Sequence, residues 1–360
     1  MKNFACGCGN TLYFENTRCV ACGAELGFLP DLGVQTAIFP ESEGLWRADH
    51  PRAQGRRYRK CLNYSEHQVC NWMVPAEDDH VFCTACRLNE VIPNLDKPGN
   101  RELWLAIERR KRRLVYDLLR YGLPLDSRHQ NPDAGLGFAF LENNPASLEF
   151  LDSANEQPVM TGHADGLITI NIREADDVER ERMRVQMNEA QRTLLGHFRH
   201  EVGHYYWDRL VAGSPWLDEL RAYFGDERAD YGAALEAYYR DGPRPDWWQS
   251  FISAYASAHP WEDWAECWAH YLQIGDTLET AAENGMVRPD VLRLGFDERI
   301  SCWIDLARRI NLLTRSLDQP DPYPFVLMPP VIEKLRKIES VIERTAFSRS
   351  SFFRPSIVAG

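Results

Sequence analysis

No stretch of the 360-residue sequence approaches the roughly 18 apolar residues that a membrane-spanning helix requires, which excludes a transmembrane helical protein. The opening MKNFACGCGN lacks an apolar core and a small-residue cleavage site, so no secretory signal is expected and a cytoplasmic setting is. Internal repeats are also missing. Cysteine is nearly absent beyond residue 90, where only Cys267 and Cys302 occur. In a reducing compartment the ten cysteines are expected as metal ligands or free thiols and not as a disulfide framework. There is no general excess of positive charge: 41 Lys and Arg stand against 53 Asp and Glu, a net charge of −12. Residues 1–130 carry 18 basic against 16 acidic side chains, whereas residues 131–360 carry 23 against 37. A negative field repels phosphate backbones, so nucleic-acid binding is not expected of the C-terminal part and stays open for the N-terminal part.

What is present is an ordinary globular composition, 44% hydrophobic and 26% charged, with length for two domains or one large domain and an appendage. Residues 1–98 form a cysteine-rich module ended by the turn-rich PNLDKPGN. Within it, residues 27–58 and the basic cluster Arg52, Arg56, Arg57, Arg59 and Lys60 read as connector and surface. Residues 99–130 hold a linking helix whose basic run is expected as a solvated face. Residues 131–347 read as a mostly helical domain with a small sheet, in which Ile168, Ile170 and Ile172 alternate as in a strand. A long helical pattern from the acidic start at Glu174 to about Val211 follows. Further helices are expected at 215–224, 230–240, 246–257, 261–274, 297–317 and 329–345, with a loose tail at 348–360. The fold class is α+β.

Cys6, Cys8, Cys19 and Cys22 form two close pairs of the kind a tetrahedral Zn²⁺ gathers through a hairpin. Cys61, Cys70, Cys83 and Cys86 offer a second set, for which His67 or His80 are substitute ligands. Four thiolates leave no open position for water, so both sites are expected to be structural.

The string HEVGH at 200–204 lies inside a helical pattern, so His200 and His204 project from one face and can share one Zn²⁺, with Glu201 beside them as general base. A third ligand is expected from HPWEDWAECWAHYL at 259–272. Glu262 is the leading choice, with Glu266 orienting an imidazole; Glu266 itself, His259 or His270 are the rivals. Asp263 points about 100° away from Glu262 and is expected in solvent. Tyr255 is a candidate for stabilising an oxyanion, His197 for support behind the ligands. Cys267 and Cys302 read as buried free thiols, and Arg315 as one partner of a structural ion pair.

GHFRHEVGHYYW, SAYASAHPWEDWAECWAHYL, FENTRCVACGAELGF and NLLTRSLDQPDPYPF together resemble the bacterial zinc-binding metallopeptidases that carry an N-terminal zinc ribbon. The resemblance implies a zincin-like fold with a gluzincin-type site. It is also similar to lethal-factor-like peptidases, where the first Glu of ExxxE ligates zinc and a Tyr seven residues earlier lies in the site. That pattern falls on His200, Glu201, His204, Glu262, Glu266 and Tyr255. By analogy with such folds, the strand at 167–172 is expected to line the cleft edge and pair with an extended substrate. The expected activity is hydrolysis of peptides or proteins, basic segments tolerated or preferred, with one catalytic and two structural Zn²⁺. The alternatives are an adaptor whose ribbons bind protein or nucleic acid beside an idle zincin domain, and a protease acting on DNA-bound proteins.

Overall fold

The computed structural model describes residues 2–142, 161–186 and 191–348. The chain is α+β and divides into two compact units, one of residues 1–116 and 126–183, the other of residues 117–125 and 184–360.

The first unit carries all the strands among the described residues. β1 (Phe4–Ala5) and β2 (Thr11–Leu12) form a small hairpin. β3 (Leu26–Leu29), β4 (Val34–Pro40), β5 (Trp46–Ala48), β6 (Arg57–Lys60) and β7 (Met73–Pro75) then follow as an antiparallel meander in chain order. Its core is aromatic: Phe14, Phe28 and Trp72 pack edge-on or tilted with centroids 4.7 to 6.1 Å apart. Residues 27–58 are therefore largely sheet joined by exposed turns, and not only the connector and surface expected; every residue of β3 is buried. Four of the five residues of the basic cluster have partners, Arg56 and Arg57 while staying exposed. Arg56 pairs with Asp31, Arg57 with Glu41 and Lys60 with Glu25, while Arg59 donates to the Asp78 carbonyl.

The helix α1 (Asn100–Arg120) contributes Asn100–Tyr116 to this unit. Its charged run is not the solvated face expected. Glu108 and Lys111 are fully buried and paired at 2.9 Å, and Glu108 also accepts from Trp104 Nε1 and Asn89 Nδ2. Arg112, also buried, donates to the Val69 carbonyl. A buried charge persists only when paired in this way.

A mixed sheet completes the unit, with spatial order β10 (Gly162–Ala164), β11 (Leu167–Asn171), β9 (Gly137–Leu141), β8 (Asn89–Val91). Ile168 and Ile170 are buried, as their alternation predicts. β11 is antiparallel to β10 and parallel to β9. Both its edges are thus taken, and it has no free backbone face with which to receive an extended substrate.

In place of one helix from 174 to 211, α2 (Asp177–Gln186) and α3 (Leu194–Leu210) are separate. Thr193 stops continuity: its backbone is extended, and its hydroxyl caps α3 by accepting from Gly196 N–H. The second unit continues with α4 (Leu217–Phe224), α5 (Tyr231–Asp241), α6 (Pro260–Glu283), α7 (Phe296–Arg315) and α8 (Pro329–Ser348). The helix expected at 246–257 is absent; two single turns, Trp247–Gln249 and Tyr255–Ser257, stand there. Serine hydroxyls compete for the local backbone in this segment, Ser253 Oγ accepting from Ala256 N–H and Ser257 Oγ donating to the Ala254 carbonyl. The tail expected from 348 onward falls, past Ser348 itself, outside the described residues.

The core of this unit is the crossing of α3 and α6. A Cβ on Gly203 would stand 2.9 Å from Ala265 Cα, so the helices touch where only a glycine fits. Trp264 Nε1 donates to the Gly203 carbonyl at 2.8 Å across the same contact. Arg199, buried in α3, bridges Asp276 of α6 at 2.7 Å and Asp117 at 3.1 Å.

Candidate metal centre

Three groups of side chains each bring potential ligand atoms within 4.8 Å of one another. The first is Cys6, Cys8, Cys19 and Cys22. Cys6 and Cys8 sit in the β1–β2 turn, where Gly9 takes φ 87°, and Cys19 and Cys22 in a second turn closed by Gly23 N–H donating to the Cys19 carbonyl. Such φ values strain any residue with a Cβ. The Cys6–Cys22 and Cys8–Cys19 sulfur pairs are both 3.7 Å apart. The second group is Cys61, Cys70, Cys83 and Cys86, all buried, with Cys70 and Cys83 sulfurs 3.8 Å apart. Thiolates about 2.3 Å from a tetrahedral zinc stand about 3.8 Å from each other. Backbone N–H groups of Cys83 and Trp72 point at the Cys61 and Cys70 sulfurs, as thiolates require. The substitute ligands fall away: His67 lies beside the Trp104 ring, and His80 is paired with Asp78.

The third group is His200, His204 and Glu262. The α3–α6 crossing sets the two imidazoles opposite the first turn of α6. The two Nε2 atoms are 3.1 Å apart, and Glu262 Oε2 lies 2.9 Å from His200 Nε2 and 3.5 Å from His204 Nε2. Nitrogen and oxygen ligands about 2.0 to 2.2 Å from a tetrahedral zinc stand about 3.3 Å apart. His200 Nδ1 faces Glu266 Oε1 at 2.7 Å and donates its proton there, which in the neutral ring turns the Nε2 lone pair toward Glu262. Glu262 Oε2 is buried and completes no well-formed hydrogen bond among the described residues. Lone pairs facing one another in a buried space repel unless a cation stands between them, so the donor set fits zinc.

The carboxylates also draw positive charge, a proton or a metal ion, to this point. Burial opposes charge on His200, yet Glu262 and Glu266 together hold its pKa well above the usual imidazole value. Burial likewise opposes charge on Glu262, but the two imidazoles keep it ionised, well below the ordinary carboxylate range. Glu266 is brought to His200 and held by Ser253 Oγ, which donates to its Oε2 at 2.6 Å. Glu201 is nearly buried and its carboxylate makes no hydrogen bond or ion pair among the described residues. The Tyr255 ring lies 6.0 Å from that of His200, its phenol pushed far up by burial and by the charge of Glu262.

Other candidates stand elsewhere. His197 is not in the ligand group. His259 caps α6 by accepting from Trp261 N–H, and its Nε2 donates to the Ala229 carbonyl. His270 meets the Tyr323 hydroxyl at 2.9 Å. Asp263 is not in solvent: it is fully buried and paired with Lys334 at 2.5 Å, and Cys267 donates to it. Arg315 pairs with Asp321, as expected.

Three residues near the ligands were not anticipated. Ser253 is one, and Trp261, whose ring centroid is 3.9 Å from that of His204, is another. The third is Tyr231, whose O–H donates to Glu262 Oε1 at 2.5 Å. No spacing rule links Tyr231 to Glu262 across 31 residues; only its place just after the capping Asp230 marks it as the start of a helix.

A family model described as "Putative zinc-binding metallo-peptidase" matches residues 100–341, and a zinc-ribbon domain model matches residues 3–97. The chain is similar to uncharacterized proteins of Mycobacterium bovis and Mycobacterium tuberculosis, each 41% identical over 355 residues that cover 96% of both chains. No solved structure matches.

Proposed function

The chain belongs to this zinc-binding metallopeptidase family, and from that premise we propose that it hydrolyses peptide bonds with one zinc on His200, His204 and Glu262 and two structural zincs on the cysteine sets. The observation that carries the reading is the convergence of two imidazole nitrogens and an unsatisfied, buried carboxylate oxygen on one point. Bound there, zinc supplies a Lewis acid that polarises the scissile carbonyl and acidifies water.

The chain's own groups do the rest. Glu201, which follows His200 on α3 and has no carboxylate partner among the described residues, takes the proton of the attacking water and later delivers it to the leaving amine. Glu266 keeps His200 in the tautomer that presents Nε2, and Ser253 keeps Glu266 in place. Tyr255 is the candidate to donate its retained proton as a hydrogen bond to the oxyanion. His197, three residues before His200 on α3, is the candidate for support behind the ligands. The substrate is a peptide or protein, and the acidic balance of residues 131–360 favours basic segments. A cytoplasmic setting suits eight N-terminal thiols that must stay reduced.

The test is Glu201→Gln assayed on an unfolded protein mixture with a peptide readout. Zinc content is expected to be unchanged and hydrolysis to fall by about 10²- to 10⁴-fold. Undiminished hydrolysis by the pure variant overturns the assignment.

A further inference from the structure

The geometry points to Tyr231 as a positioning residue that fixes Glu262 as a one-oxygen zinc ligand; this rests on the metal centre proposed above. The two oxygens of Glu262 have different neighbours. Oε2 faces His200 and His204, while Oε1 accepts the Tyr231 O–H at 2.5 Å. That separation lies at the short end of charge-assisted O–H···O⁻ bonds. So engaged, Oε1 would be held away from the point where His200, His204 and Oε2 would bind a metal ion. Glu262 would then supply a single ligand atom, which would leave room at the ion for water, as a hydrolytic zinc site needs.

Tyr231 is held for this task from several sides. Its ring stands edge-on to His259 at 5.2 Å and to Trp261 at 5.7 Å, and Trp261 in turn lies against His204. Asp230 caps the helix that Tyr231 begins, accepting from Ala233 N–H at 3.0 Å. Just before it, the Ala229 carbonyl receives His259 Nε2 at 3.0 Å, which ties this segment to the start of the helix bearing Glu262. By contrast, α5 has no buried residue of its own. The phenol is thus one side-chain bond by which a helix with no buried residue reaches Glu262.

The experiment compares full-length wild type, Tyr231→Phe and His204→Ala. Zinc affinity is read by chelator competition and ligand number by the visible absorption of cobalt(II) exchanged into the centre, which weakens as a fifth ligand binds. Tyr231→Phe keeps the ring and the fold, checked by circular dichroism and by retention of the cysteine-bound zinc. Loss of a ligand-orienting partner is expected to weaken affinity at this centre roughly 10- to 100-fold. The freed Oε1 is expected to join the metal and lower the cobalt absorption. If Tyr231→Phe matches wild type in affinity and spectrum while His204→Ala loses the ion, the role of Tyr231 is refuted and the metal centre stands. Weaker binding with an unchanged cobalt spectrum also refutes it, since loosened packing alone does that. If wild type itself holds no ion at His204, the metal centre falls and this inference with it.

Discussion

Replacing Gly203 with alanine tests whether the α3–α6 crossing holds the ligand set together. The new Cβ would stand 2.9 Å from Ala265 Cα, 3.2 Å from the Ala265 carbonyl oxygen and 3.2 Å from Trp268 Cβ. Carbon atoms in contact prefer about 3.5 to 4.0 Å, so the helices must part by roughly 0.6 to 1 Å, and the obstacle is backbone. Overpacking of this kind costs about 1 to 3 kcal/mol, while removing a helical glycine returns about 1 kcal/mol. The net expectation is a loss of about 1 kcal/mol, or roughly 3 °C in melting temperature for a unit of this size. Function should suffer more, because His200 and His204 lie on one helix and Glu262 on the other. A displacement of about 1 Å at reacting groups costs on the order of 10²-fold in rate. The assay is calorimetry with zinc content and peptidase rate on the same preparation. Gly232→Ala is the control, since its Cβ would meet only Asp230 Oδ1 at 3.6 Å, and it should be neutral or slightly stabilising. A Gly203→Ala protein as stable, as zinc-loaded and as active as wild type would refute the reasoning.

Two further predictions concern the second unit. Lys334→Met leaves Asp263 buried with its ammonium partner gone, and breaking such a pair should cost about 3 to 5 kcal/mol in urea unfolding; a loss below about 1 kcal/mol would mean that water or another cation reaches the carboxylate. His270 is wholly buried, and burial pushes its pKa down to about 4 from 6.5. Its folded pKa is depressed, so its contribution is present above pH 6.5 and is lost as pH falls from 6.5 through 4, about 3 kcal/mol in all. His270→Gln should flatten the stability profile across that window, measured against wild type at matched zinc; an unchanged slope contradicts the burial argument.

The grouping of the centre's side chains was legible because it obeys short-range geometry. Four residues make one helical turn, so HEVGH and the Glu262–Glu266 pair already set their faces, and the structure brings these side chains together. Cysteine spacing identified both thiolate sets for the same reason, even the widely spaced Cys61 and Cys70. What escaped depends on the partner. Strands buried on both faces, such as β3, show no alternation, while Arg56 and Arg57 do lie at the surface, paired with Asp31 and Glu41, partners that local sequence does not identify. Asp263 was placed in solvent because helical phase cannot see Lys334, which comes from α8. The Tyr231 contact is of this kind too: a phenol on one helix finds a carboxylate on another, and neither residue's local sequence records it.

Zinc per chain in wild type and His204→Ala, purified side by side without chelator, tests the central claim most directly. The account predicts about three ions in wild type and about two in the variant, the cysteine sets remaining filled. Two ions in both proteins would contradict it, because His200, His204 and Glu262 would then hold no zinc of their own.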